Sequence, residues 1–429
     1  MSNRRAVTRA LKNRLLLALT VVTALALVGP ASSLATPPAT LVLKTAEVGS
    51  PGNASVGIVP FTDAIYASCA EAAGAKPPCQ EVGGVDYGYG IGQLEVTVIQ
   101  WVEFLNTVDP GGLNKHHLFS RTETSSAWPQ FGQIDFHAKA APGRHYAVAS
   151  QEWVHKPYAF ANFLRTARFV NSLYNGKVLS KKATTSVGFE YTTYRVRLSR
   201  QTERGMYAMK KRAATRSHKS GFVVPSQDEW IKAAYYDPEG SGTYSYWKYP
   251  TNAGVFGDGT ATAPTSTTLN PNNGNVTNAG TSNVAPQPLA TFHASEVAAP
   301  SWCPAAVGTE ACETVNPFGI EPAKYAKIYQ GSVGTVGQAK TLGPWGTLDQ
   351  GGNVVEWTDT ITAPPSGRSG EKGRVWRRLH GGIANAPVYQ LWLSAVGLQP
   401  QDNAAFTATY PWLGMRIGTI GDLKVGRGA

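Results

Sequence analysis

The chain has 429 residues, enough for one large domain or two or three ordinary ones. Charged residues make up only 16% while Gly (45) and Pro (28) are abundant, which points to a loop-rich globule and away from a helical bundle. A mean hydropathy of -0.20 excludes a polytopic membrane protein. The formal charge of +11 becomes +6 once the basic residues Arg4, Arg5, Arg9, Lys12 and Arg14 are set aside, too modest an excess to demand a nucleic-acid partner.

Those five residues precede an apolar run, Leu15–Val28, that is short for a bilayer span. Ser33-Leu34-Ala35 offers small residues for cleavage, so residues 1–35 read as an export signal and the mature chain as secreted or periplasmic. A retained membrane anchor is the weaker alternative. An exported chain with four cysteines, Cys69, Cys79, Cys303 and Cys312, suggests disulfides; three connectivities are open, and pairing the near neighbours, Cys69–Cys79 and Cys303–Cys312, closes two short loops.

Leu41–Leu43 and Ser55–Val59 read as short strands. The Tyr/Gly run at Asp86–Gln93 imitates a nucleotide-binding turn, but that motif needs a helix directly after its last glycine, and Leu94-Glu95-Val96 reads as a strand. Thr97 and Gln100 then form a capping box for a helix whose Trp101 and Leu105 share one face, ended by Asp109-Pro110-Gly111-Gly112. A second helix is expected from Pro157 to Asn175-Gly176, with Phe160, Ala161, Leu164 and Ala167 inward. The basic residues among Arg195–Lys219 read as a solvated loop. Ser226 and Glu229 cap a third helix that Asp237-Pro238 stops, so Asp228 and Glu229 are first-turn acids and not a catalytic pair. Residues 251–300 are rich in Thr, Asn, Gly and Pro and read as a surface insertion. Val375–Leu379, Leu391–Val396 and Leu413–Ile417 are strand-like. Trp101, Trp230 and Trp357 are expected in the core.

Gly343–Asp359 is the most informative stretch. Turns at Pro344–Gly346 and Gly351–Asn353 flank the carboxylate of Asp349, and Glu356 follows beside Trp357. Carboxylates and carbonyls converging on one point suit calcium, which takes oxygen ligands. A tight turn with two solvated acids is the competing reading.

Several motifs stand in an order that resembles the formylglycine-generating enzyme family, the sulfatase-modifying factors. Gly90–Thr97 looks like its first strand and Trp101–Asp109 like its first helix. Pro157–Leu164 resembles its "faNWL" segment, Thr202–Tyr207 its "TE-x-GaY" turn, and Val224–Asp237 its central motif. Gly346–Trp357 resembles "G-x-x-D-x-x-GNVWEW", and Leu413–Ile417 its "GFR" strand; together the pieces span roughly residues 47–420.

The resemblance implies an α+β, C-type-lectin-like domain over residues 36–420, with few helices, short twisted strands and much irregular backbone, and a tail at 421–429. It also implies a structural calcium, with Asp349 and Glu356 giving carboxylates and Gly352 and Val354 giving carbonyls. A second family calcium site would need an asparagine where Lys327 stands. The family's oxidases hold copper(I) on two cysteines after a paired-glycine motif, because a soft ion needs thiolates. Here that motif is Gly381-Gly382, and Ala386 and Leu391 occupy the cysteine positions, so no copper is expected. Iron-dependent relatives use an H-x₃-H-x-E helix, and no two of the eight histidines here are four apart.

The first functional expectation is therefore an exported sulfatase-modifying-factor-like module that binds a ligand or protein, without nucleic acid and without a membrane span after signal removal. The alternative is a metal-dependent oxidoreductase with non-cysteine ligands, for which His380 is the candidate. A purely structural surface component is the third.

Overall fold

In the computed structural model the described residues are 37–58, 80–125, 132–240, 245–251, 264–266, 276, 289–290, 333–363, 373–382, 391, 393, 397–401 and 412–426. Along them run β1 (Thr40–Val48), β2 (Val56–Ile58), β3 (Gln80–Val82), β4 (Tyr89–Gly92), α1 (Val98–Val108), β5 (Ile134–Phe136), β6 (Tyr146–Val148), α2 (Phe163–Tyr174), β7 (Lys177–Ser186), β8 (Phe189–Arg197), β9 (Gly221–Val223), α3 (Gln227–Tyr235), β10 (Thr265–Ser266), β11 (Leu289–Ala290), β12 (Val355–Thr362), β13 (Trp376–His380), β14 (Gly397–Pro400), β15 (Leu413–Gly414) and β16 (Gly418–Ile420). The class is α+β: few helices, mostly short strands, long irregular connections. The export signal, all four cysteines, Ala386, Lys327 and most of the 251–300 insertion lie outside the described residues. None of the described helices is long and apolar enough to cross a membrane.

Local chemistry sets two of the three described α-helices as the sequence predicts. Thr97 Oγ1 accepts from the Gln100 N–H while Gln100 Oε1 accepts from the Thr97 N–H, at 3.5 and 3.0 Å. Ser226 and Glu229 do the same for α3, at 3.1 and 2.7 Å. The start of α2 differs from expectation. Residues 157–160 are held extended by bridges from Pro157 to Thr97 and from Phe160 to Leu413. The helix begins only at Phe163, where the Asn162 side chain accepts the Arg165 N–H at 2.8 Å. Tertiary pairing thus overrides the preference of proline for a first helical turn.

The largest sheet has the order β7-β8-β1-β4-β16-β9, and a second has the order β14-β13-β12-β15. The β7–β8 hairpin, absent from the expectations above, closes on Val187 and Gly188 with φ of 52° and 83°, flanked by the pair Ser186–Phe189. Two positive φ angles give the turn whose twist matches the strands. Leu94–Val96 is not a strand. The backbone there bends, and the Gln93 and Val96 N–H groups donate to the Lys44 and Met415 carbonyls at 2.8 and 2.9 Å. Leu413–Ile417 is strand only at Leu413–Gly414, after which the chain passes to the other sheet as β16. Leu391 is not in a strand.

Trp101, Trp230 and Trp357 are fully buried. Trp101 stacks on Tyr158 at 4.3 Å, and Trp357 donates to the Ala161 carbonyl at 3.1 Å, tying α1, the segment leading into α2 and β12 into one core.

Candidate functional site

Of the sequence-predicted site residues, Asp349 and Glu356 fall in a polar hub where β12, β13, α3 and the Leu413–Ile417 segment meet. Glu356 lies in β12, opposite His380 of β13 and beside Gly414 of β15. Its two oxygens are taken. Arg416 Nη2 stands 2.8 Å from Oε1, and Arg416 Nε donates to both oxygens at 3.0 and 3.1 Å. Trp230 Nε1 donates to Oε2 at 2.6 Å. Arg416 is completed by the carbonyls of Gly92 and Leu348, at 2.9 and 3.0 Å. Burial works against its charge, but Glu356 first and Glu95 next outweigh this and hold its pKa above the ordinary arginine value.

Two further carboxylates join the hub without an ion pair of their own among the described residues. Asp349 sits at φ 51° and accepts the Gly337 N–H. Burial pushes its pKa up to about 6, with the Gly337 bond and Arg416 opposing and Glu356 adding. Glu95 is buried; its Oε1 accepts from Asn353 Nδ2 at 3.2 Å, and Oε2 has no hydrogen-bond partner among the described residues. Burial, then the Asp349 charge, raises its pKa well above the usual carboxylate range. Gly352 donates its N–H to the Gly381 carbonyl at 2.5 Å, and Val354 is buried against Ala159 and Val333.

Tested against a calcium ion, this set fits in part. Three carboxylates share one guanidinium, but among the described residues no three acidic, histidine or cysteine side chains are placed together to hold a metal ion, so main-chain oxygens would have to complete a site. Asp349 offers carboxylate oxygen, but Glu356 would have to give up a bond to Arg416 or Trp230 to coordinate. Glu356 is fully buried, while Asp349 is half-buried and accepts a main-chain N–H.

His380 is buried and stacks on Trp230 at 5.2 Å. Gly381 has φ 105°, and a side chain there would press on the Gln350 carbonyl and the Trp230 ring, so the glycine is needed for close packing. Leu391 is fully buried, and its carbonyl accepts from Tyr235 Oη at 2.9 Å. Arg216, expected to be solvated, is ion-paired to Glu229 at 2.6 Å and to Asp359 at 2.5 Å.

A second feature, an open cleft of about 730 Å³, was not visible in the sequence. The end of β1, the β7–β8 hairpin, the segment after α3 and the Pro344–Trp345 turn wall it. Trp345 packs on Gly49, with its ring 3.4 Å from where a Cβ would stand, and its Nε1 has no acceptor among the described residues. Trp247 is fixed by its Nε1, which donates to Asp237 Oδ2 at 3.1 Å. Burial, then the Glu47 charge, pushes Tyr194 up to about 12. None of the hub carboxylates lines this cleft. Its residues come from positions 47 to 421, and no spacing announces them. Arg416 was more legible: an arginine in the apolar run Leu413–Ile417 requires a buried carboxylate.

No protein-family description matches the chain, and no curated protein matches it. Among solved structures the chain is similar to CarF at 13% identity, with 90% of this chain and 99% of that chain covered and a TM-score of 0.34. Treponema denticola variable protein 1 matches at 12% identity, with 90% and 100% covered and a TM-score of 0.37. PvdO from Pseudomonas aeruginosa matches at 11% identity, with 90% and 95% covered and a TM-score of 0.34. Identities and scores this low transfer nothing from those proteins to this chain.

Proposed function

We propose that this chain is an exported domain of formylglycine-generating-enzyme type that binds a ligand or protein partner and does not oxidise cysteine. The observation that carries the reading is the open cleft of about 730 Å³, walled by aromatic side chains and separate from the hub carboxylates. The motif segments behind the resemblance also support one another physically. Asn171 of α2 donates to the carbonyls of Thr202 and Tyr207 at 2.7 and 2.8 Å, and Glu356 joins Trp230 to Arg416.

Thiol chemistry has little to work with at this site. Copper(I) needs soft sulfur, and Leu391 is a buried isobutyl group at one of the two positions where the resemblance requires a cysteine. Calcium belongs to this proposal as a stabiliser: Asp349 would give a carboxylate, Gly352 and Val354 carbonyls, and Glu356 an oxygen shared with Arg416. An ion bound at a hundred times its Kd would stabilise the fold by about 2.7 kcal/mol. Calcium should therefore raise the melting temperature of the wild type and leave Asp349→Ala unmoved; an equal rise in both removes Asp349 from the ligand set.

The oxidase question has a direct assay. Purified protein, loaded with copper and given a sulfatase-type cysteine peptide, should leave the peptide mass unchanged. Appearance of formylglycine would overturn the reading.

A further inference from the structure

We propose that the cleft receives an alkyl guanidinium or alkylammonium group, the chemistry of an arginine or lysine side chain or of a polyamine. The inference rests on the binding reading above and adds the class of ligand. Four carboxylates line the cleft against one ammonium, that of Lys181. Lys181 is already paired with Asp422 at 3.1 Å. Asp237 is also spent, because its two oxygens accept the Trp247 Nε1–H and the Glu239 N–H at 3.1 and 2.9 Å. Among the described residues Glu47 accepts only the Thr45 hydroxyl, at 3.1 Å. Among the described residues Glu190 and Glu239 are exposed, and neither side chain is ion-paired.

Glu47, Glu190 and Glu239 thus line one concave space without an ion pair among the described residues, Lys181 being held by Asp422. A cationic ligand would find in these carboxylates the partners they lack, which a neutral ligand would leave unused. The sign is local, since the chain as a whole carries +11. Trp345 and Trp247 are half-buried on the walls. Aromatic faces attract cations, by roughly 0.5–2 kcal/mol per ring according to desolvation. Carboxylates beside aromatic rings therefore select an alkyl stem with a cationic head. A volume of about 730 Å³ exceeds a single head group, so the stem and its neighbours would enter as well.

The test is calorimetric titration of the full chain with tri-arginine peptide, spermidine, a neutral trisaccharide and tri-glutamate peptide, at low and at physiological salt. At least one of the two cations should bind, more weakly as salt rises. The double substitution Glu190→Gln/Glu239→Gln should weaken it about tenfold, as two partly screened charge contacts would. A tri-arginine preference assigns the ligand to a basic protein segment, a spermidine preference to a free polyamine. Failure of both cations to bind, or cation binding unchanged in the double variant, overturns the proposal. Binding of the trisaccharide or tri-glutamate alone overturns it too, but leaves the binding-module reading standing. That reading falls instead by the formylglycine assay, which does not involve the cleft glutamates.

Discussion

The hub and the cleft use the same residue types to opposite ends. In the hub, Glu356 spends both oxygens on Arg416 and Trp230, and Arg416 spends its remaining donors on main-chain carbonyls. In the cleft, Glu190 and Glu239 stand exposed and the Trp345 N–H lacks an acceptor among the described residues. A buried charge left unpaired is costly, so the filled Glu356–Arg416–Trp230 set serves folding, with Asp349 and Glu95 beside it lacking an ion pair among the described residues. An open set of unpaired charges contributes little to folding and is available to a ligand. On this comparison, damage to the hub should cost stability, and damage to the cleft should cost binding alone.

The largest effect is expected from Arg416→Met, which leaves Glu356 buried without its cation. The expected loss is about 3–5 kcal/mol in urea unfolding; a loss below about 1 kcal/mol would mean that the hub is not what holds the two sheets. Trp230→Phe removes the bond to Glu356 and part of a fully buried indole, so a loss of about 2–4 kcal/mol is expected in the same measurement. Asn162→Ala removes the side-chain cap of α2 and should cost about 1 kcal/mol. Alanine at Pro157 should leave the helix content by circular dichroism unchanged, because the helix does not begin there.

Asp349 supplies a pH signature. Its folded pKa is raised to about 6, mainly by burial. Between the ordinary aspartate range and that value the folded chain keeps a proton that the unfolded chain has lost. Stability from this group is thus present at low pH and is lost as pH rises through about 6. Asp349→Asn should flatten the unfolding free energy across this window in calcium-free buffer, and an unchanged slope would assign the pH dependence to another group. The smallest effect on folding is expected from Glu190→Gln/Glu239→Gln, within about 0.5 kcal/mol of wild type, since both side chains are exposed.

What the sequence disclosed follows the range of the interactions. Capping boxes at Thr97/Gln100 and Ser226/Glu229 are complete within four residues, so their chemistry can be read directly. The start of α2 was misplaced because bridges to Thr97 and Leu413, distant in the chain, hold residues 157–160 extended. The β7–β8 hairpin was hidden by its polar composition, with Lys, Ser and Thr along an exposed strand and a Val-Gly turn in place of Asn-Gly. Asp349 and Glu356 were recognisable as paired oxygen donors. That Glu356 belongs first to Arg416, 60 residues on, could not be seen from the turn alone. The cleft was illegible because its walls come from six or more separate segments, none with a motif of its own.

The division of labour is tested most directly by one paired measurement on Glu190→Gln/Glu239→Gln: its urea unfolding curve, and its titration with whichever cation, tri-arginine or spermidine, binds the wild type more tightly. The account predicts a wild-type unfolding curve together with about tenfold weaker, less salt-sensitive binding. A variant that binds as the wild type does, or one that loses stability on the scale expected for Arg416→Met, would contradict it.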